Sequence, residues 1–178
     1  MAYKGKVIDN PFSGEVLRFI ETAADTNGEY LRIKWKLPAK KAKSGSHKHA
    51  NIDEWYEVVQ GTLSYSINGI KGVARPGDKV FFPKGITHQH NNMFAEDLVF
   101  IYTCSPALDM EQLIESATYL SITGKAKNGN PSLLQTLYWT GNTKAKVYDS
   151  GLPVFIQDFL ACILSPIGKI FGYRRLSG

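Results

Sequence analysis

The stretch GDKVFFPKGITHQHNN (Gly77–Asn92) sets an apolar, strand-like run, Val80, Phe81 and Phe82, before a Pro83-Lys84-Gly85 turn and then delivers His88 and His90. It is either a surface hairpin that happens to hold imidazoles or a turn that aims a ligand into a cavity. The upstream stretch SGSHKHANIDEWYEVVQG (Ser44–Gly61) favours the cavity. His47 and His49 are two apart, so on an extended strand both rings leave by one face. Glu54 has the wrong parity to join them on one unbroken strand. A turn near Asn51-Ile52-Asp53 would let a following strand present it beside the pair. His47, His49, Glu54 and His88, from three adjacent strands, can then converge on a divalent transition metal, which accepts imidazole and carboxylate donors.

The sequence around these segments is strand-like. Leu31, Ile33, Trp35 and Leu37 alternate with Arg32, Lys34 and Lys36, a period of two with one buried face. Leu63, Tyr65 and Ile67 alternate with Ser64 and Ser66 and run into an Asn68-Gly69 hairpin turn. Arg75-Pro76-Gly77-Asp78 is a second turn. Leu98–Thr103 (LVFIYT) is apolar on both faces and calls for cover on both. Short strands with this punctuation predict a barrel or sandwich.

Beyond Ser105-Pro106 the period becomes helical. Ser105 is placed to cap and Pro106 to open a helix carrying Met110, Leu113, Ile114 and Ala117. Asn130-Pro131 gives the same signal before Leu133, Leu134, Leu137 and Tyr138, after a loop at Lys125–Asn130. A third helix is predicted from Pro153 with Phe155, Ile156, Phe159, Leu160 and Ile163. Its polar stripe is so thin that most of its circumference is expected to be buried, and Ser165-Pro166 is expected to break or kink it. The chain divides into a β body over residues 1–105 and a helical extension over 106–178.

Composition narrows the function classes. The chain has 178 residues with 21 basic and 16 acidic side chains, a formal charge of +5. No arginine-rich stripe or aromatic-basic motif accompanies that excess, so no nucleic-acid partner is expected. The basic run Lys34, Lys36, Lys40, Lys41, Lys43 and Lys48 reads as a solvated strand edge and loop. Cys104 and Cys162 are far apart and outside any C-x-x-C spacing, which suits buried structural thiols in a reducing compartment. No secretory leader is visible at MAYKGKVIDNPF. The apolar stretch Leu152–Tyr173 is interrupted by Asp158, Pro166 and Lys169, leaving ten uncharged residues between the two charges. That is well short of the ~20 a membrane span needs. A cytoplasmic protein without a transmembrane segment is expected.

The spacings H-x-H-x4-E-x6-G over His47–Gly61 and G-x5-P-x-G-x2-H-x3-N over Gly77–Asn92 resemble the two motifs of the cupin superfamily. A glycine of the family pattern six residues before the first histidine is replaced by Lys41, and Gly45 stands near that turn instead. The blocks Asn10–Arg32, Glu54–Gly61 and Leu152–Arg174 also resemble a group of bacterial single-domain cupins of unassigned function. The resemblance implies a mainly β fold, a double-stranded β-helix or jelly-roll barrel, with C-terminal α-helices. It implies His47, His49, Glu54 and His88 as ligands to one divalent transition metal, Fe, Mn, Ni, Zn or Cu. His90 is read as lying behind the ligands or at the surface, and Asn92 as tying down the turn. Glu57 is read as facing outward, and Trp35, Tyr65, Phe82, Phe100 and Tyr102 as either pocket lining or aromatic core.

Two classes of function follow. One is a metal-dependent enzyme on a small molecule, a quercetinase-like dioxygenase or a sugar or enol isomerase, with Glu54 as the acid/base group. The other is a barrel that binds or senses a small molecule without turnover, a homodimer in either case. The helical extension packs outside the barrel, caps its mouth, or makes a dimer contact with Leu98–Thr103. Peripheral membrane contact by Phe159–Phe171 followed by Arg174-Arg175 ranks last.

Overall fold

The computed structural model describes residues 2–40, 44–126 and 131–170. Lys41, Lys43, Asn130, most of the Lys125–Asn130 loop, Phe171 and Arg174-Arg175 lie outside the described residues.

Two antiparallel sheets make the body. The first orders β1 (Val7–Asp9), β2 (Val16–Glu21), β3 (Leu31–Leu37), β10 (Leu98–Ser105), β5 (Asp53–Gln60) and β8 (Lys79–Phe82) as β1-β2-β3-β10-β5-β8. The second holds β4 (His47–His49), β6 (Leu63–Ile67), β7 (Ile70–Ala74), β9 (His88–Asn91) and β11 (Val147–Asp149) as β11-β4-β9-β6-β7. This is the mainly β, double-stranded β-helix read from the sequence. The period-two rows fill its interior, with Leu17, Phe19, Leu31, Ile33, Phe82 and Phe100 fully buried. At ~1.5–3 kcal/mol for each such side chain, this interior is the main source of stability. Gly61 marks a close approach: a Cβ there would meet the Asp97 carbonyl oxygen at 2.4 Å, so the end of β5 admits no side chain.

The two-sided strand is β10. Leu98, Phe100, Tyr102 and Cys104 point inward and are buried, whereas Val99, Ile101 and Thr103 are half-buried. The outer row lacks the full cover expected from sequence. Ile101 instead lies in register between Lys34 and Glu57, so long polar side chains flank it.

The helical segment departs from its start signals. Helix α1 is Met110–Ile122, beginning four residues later than the Ser105-Pro106 signal suggests. Ser105 ends β10 and donates its hydroxyl to the Glu29 carbonyl. The N-cap residue is Asp109, but its carboxylate does not cap. It accepts from the Lys144 and Ala145 amides at 2.8 and 2.7 Å. Helix α2, Leu133–Asn142, is capped by Ser132, whose side chain accepts from the Gln135 amide. Helix α3 runs Val154–Ile170 and continues through Pro166.

The expectation that most of the circumference of α3 is buried fails. Gln157 and Ala161 are buried, while Phe155 and Phe159 are 73% and 64% exposed. Small and polar residues face α2, so the backbones approach closely: a Cβ on Gly141 would come within 3.0 Å of Ser165. The large apolar side chains are left outside. Cys162 is exposed with them, contrary to the buried thiol expected, while Cys104 is buried.

Strand β11 was not legible as a strand. It pairs with β4, Val147 to His49 and Asp149 to His47, so the segment after α2 completes the sheet at the histidine-bearing strand. Asp109 anchors the approach to β11. Replacing it with Ala leaves two backbone donors without their acceptor, and urea unfolding is expected to show a loss of ~2–3 kcal/mol. A loss under about 0.5 kcal/mol, the range of ordinary surface substitutions, would contradict that anchoring.

Candidate metal centre

Three short segments place the four candidate ligands. Strand β4 presents His47 and His49, with His47 half-buried and His49 buried. The chain then crosses to the other sheet, where β5 turns Glu54, Tyr56 and Val58 inward. His88 opens β9 in register with His47. Glu54 therefore comes from the facing sheet and not from a strand adjacent to the histidines. The Pro83-Lys84-Gly85 turn is fastened to both sheets. The Gly85 amide donates to the His49 carbonyl at 2.7 Å, and the Lys84 amide to Asp53 Oδ1 at 2.8 Å. Gly85 has φ +78°, a left-handed backbone that glycine adopts without steric cost.

The ring orientations are set locally. His47 Nδ1 lies 2.7 Å from the Gly45 carbonyl oxygen, and His88 Nδ1 lies 3.0 Å from that of Ile86. A carbonyl only accepts, so Nδ1 carries the hydrogen in each ring. In the neutral imidazole this leaves a bare lone pair on Nε2. His88 Nε2 then faces Glu54 Oε2 at 2.9 Å without hydrogen-bond alignment, and neither atom has another partner among the described residues. His49 Nε2 lies 3.3 Å from Glu54 Oε1, and His49 Nδ1 has no partner. Two lone pairs at this distance in a buried site repel unless a proton or a metal cation sits with them. One donor atom from each of His47, His49, Glu54 and His88 lies within 4.8 Å of the others. This His/Glu cluster suits a divalent metal.

Tyr102 fixes the carboxylate, its hydroxyl donating to Glu54 Oε1 at 2.6 Å. Burial opposes ionisation of Glu54, but His49 and His88 beside it outweigh burial and hold its carboxyl below the ordinary range. Burial first, then the neighbouring imidazoles, pushes His47 down to about 3. Burial likewise lowers His49, and takes His90 down to about 4. The site thus favours neutral rings at His47, His49 and His90 near an ionised Glu54, and neutral imidazole and carboxylate are the forms that bind metal.

The cluster opens onto a cavity of about 350 Å³. His47, His49 and His90 form part of one wall, and Met110, Leu113, Ile114 and Ala117 of α1 form another. Helix α1 of the helical segment thus contributes to the cavity wall. Trp35 lines the cavity with its Nε1 buried and unpartnered, as is His90 Nδ1. His90 stands outside the four-residue cluster, against Tyr56 and Phe100 with ring centroids 4.8 and 6.0 Å away. Phe82 and Phe100 belong to the core, and Tyr65 packs over Gly72 away from the cavity lining. Asn92 bridges the Leu37, Pro38 and Glu96 carbonyls through its amide nitrogen, and Glu57 faces outward opposite Lys79.

Sequence reading missed Glu15, which lines the same cavity. No side-chain partner of its carboxylate is found among the described residues, and burial raises its pKa. It sits in an aperiodic segment before β2, where only the folded chain reveals its neighbours.

Residues 34–104 match the family model described as Cupin domain. No curated protein matches the chain. Two solved structures share the barrel. KdgF from Halomonas sp. aligns with TM-score 0.51 and 22% identity, over 60% of this chain and 90% of that one. A protein described as a predicted oxalate decarboxylase from Thermotoga maritima aligns with TM-score 0.50 and 23% identity, over 58% of this chain and 92% of that one. At these identities the likeness is one of fold.

Two outcomes are expected. The depressed imidazoles bind fewer protons folded than unfolded, so their contribution to stability is complete above the unfolded histidine value of ~6.5. It is lost as pH falls toward the folded values, about 3 for His47 and about 4 for His90. Glu54, also depressed, adds a loss at still lower pH. Chelator-treated protein should therefore show a melting temperature that drops steadily from pH 7 to pH 4, and a flat profile would contradict the buried neutral rings. Tyr102→Phe, which frees Glu54 Oε1, should weaken metal affinity ~10-fold or more by competition titration.

Proposed function

Because the barrel of this chain belongs to the cupin superfamily, we propose that it holds one divalent transition metal on His47, His49, Glu54 and His88 and uses it on a small organic molecule. The observation that carries this reading is the unaligned 2.9 Å approach of His88 Nε2 to Glu54 Oε2, two acceptors that call for a shared cation. When bound, the metal would supply Lewis acidity toward a substrate oxygen and, for iron, manganese, nickel or copper, redox chemistry.

The protein's own groups define what is handled. The wall formed by Trp35, Leu37, Leu113, Ile114 and Val147 is apolar and suits the ring of a phenolic or enolic molecule, while Asn10, Ser13, Glu15, Ser44 and Ser121 offer polar groups to its oxygens. Glu54 is the proton acceptor for a substrate hydroxyl. Tyr102 holds Oε1, so Oε2 is the oxygen left to receive that proton. The reading is therefore a quercetinase-like dioxygenase, in which both atoms of dioxygen enter the substrate, ahead of an enol isomerase. A cytoplasmic setting belongs to the same proposal, in keeping with two unpaired cysteines. A second reading, ligand capture without turnover, draws on α1, which walls the cavity across which a product would have to leave.

Elemental analysis of protein purified without a histidine tag or chelator should return about one metal per chain. His49→Ala and His88→Ala should lower it by about tenfold or more while the far-ultraviolet spectrum is kept. Dioxygen uptake by Fe(II)- or Mn(II)-loaded protein over a panel of catechols, flavonols and enols distinguishes the two readings. Uptake with one class supports the dioxygenase. No uptake with any metal retires it, and absence of metal from the wild type retires the site.

A further inference from the structure

Helix α3 presents an apolar face that no described part of the chain covers. Phe155, Phe159, Ile163, Ile167 and Ile170 recur every three or four residues, with exposures of 73, 64, 49, 38 and 83%. At 1.5 Å per residue the seventeen-residue helix makes this stripe ~25 Å long. Contiguous exposed apolar surface of this kind marks an interaction site.

The charges nearby say what the stripe meets. From Phe159 to Gly178 the sequence holds Lys169, Arg174 and Arg175 and no acidic residue, in a chain whose net charge is +5. The one acidic residue of α3, Asp158, accepts from the Tyr148 hydroxyl at 2.8 Å. Among the described residues no helix is long and apolar enough to cross a bilayer. A phenylalanine and isoleucine face followed by basic residues alone has the chemistry of a helix lying in an anionic lipid interface. A second copy of the chain would also bury the apolar stripe, but would not call for a sequence that carries only basic charges from Phe159 onward.

We propose that α3 docks this protein onto the surface of an anionic membrane, the apolar stripe entering the acyl boundary and the basic residues of the C-terminal sequence supplying the countercharge. The barrel and its metal site then stand at the bilayer surface, where an apolar substrate partitions. The inference does not depend on the metal reading, because its readout is binding alone.

The test is flotation of the full chain with vesicles of phosphatidylcholine alone or with 30% (about one lipid in three) phosphatidylglycerol. Binding to the anionic vesicles is expected to exceed that to neutral ones at least about tenfold and to fall as salt rises. Phe155→Ser/Phe159→Ser should reduce it about tenfold, with the unchanged circular dichroism spectrum showing that the exposed sites tolerate the change. Cys162 is the exposed one of the two free thiols, so an environment-sensitive fluorophore there should shift to the blue on anionic vesicles. Lack of anionic binding at low salt, equal binding to both vesicles, or binding indifferent to the double substitution would each overturn the proposal. A wild-type dimer in light scattering that the double substitution converts to monomer, without vesicle binding, would assign the stripe to a second copy.

Discussion

The site rests on one electrostatic constraint, a carboxylate held inside the barrel with lone pairs of imidazoles turned toward it. Glu54 and His88 are 2% exposed, and their facing atoms stand 2.9 Å apart without a donor aligned between them. Burying a charge in that setting is costly unless it is paired. The backbone carbonyls of Gly45 and Ile86 remove the easy escape by occupying the Nδ1 hydrogens of His47 and His88. A proton on Nε2 or a divalent cation shared by the donors would relieve that repulsion, and the rest of the local structure holds the four side chains together.

Holding them is a problem of short elements. Strand β4 has three residues and meets β9 at the single pair His47 and His88, too little pairing to be rigid alone. It is fixed from the other side by β11, which arrives after two helices and is itself anchored by Asp109 and Asn51. The turn at Gly85 adds a bond to the His49 carbonyl. The helical segment thus contributes a strand beside the ligands, a wall over the cavity through α1, and an exposed face through α3.

Most of the barrel was legible because its rule is local. Alternation at Leu31–Leu37 and Leu63–Ile67 fixes which side chains enter, and the turn residues between strands fix where direction changes. That His47, His49, Glu54 and His88 come together was legible from parity and one turn, although Glu54 arrives from the facing sheet and not from an adjacent strand. What escaped depends on distant partners. Val147–Asp149 carries too few residues to show a period, and becomes a strand only because β4 offers it an edge. Ser105 reads as a helix cap, but its hydroxyl goes to the Glu29 carbonyl, and the helix starts later at Asp109, whose carboxylate the Lys144 and Ala145 amides take. In α3 the assumption that large apolar residues turn inward fails, because Ala161 and Gly141 let two helices approach until only a narrow stripe is covered. Glu15 gave no signal at all, since its role comes from the cavity it happens to line.

The most direct measurement of the metal centre is X-ray absorption spectroscopy at the edge of whichever metal the protein carries. A shell of nitrogen and oxygen donors with the multiple-scattering signature of three imidazoles is the predicted result, reduced to two imidazoles in His49→Ala reconstituted with excess metal. A spectrum with one imidazole or none, or with sulfur in the first shell, would contradict the assignment of His47, His49, Glu54 and His88.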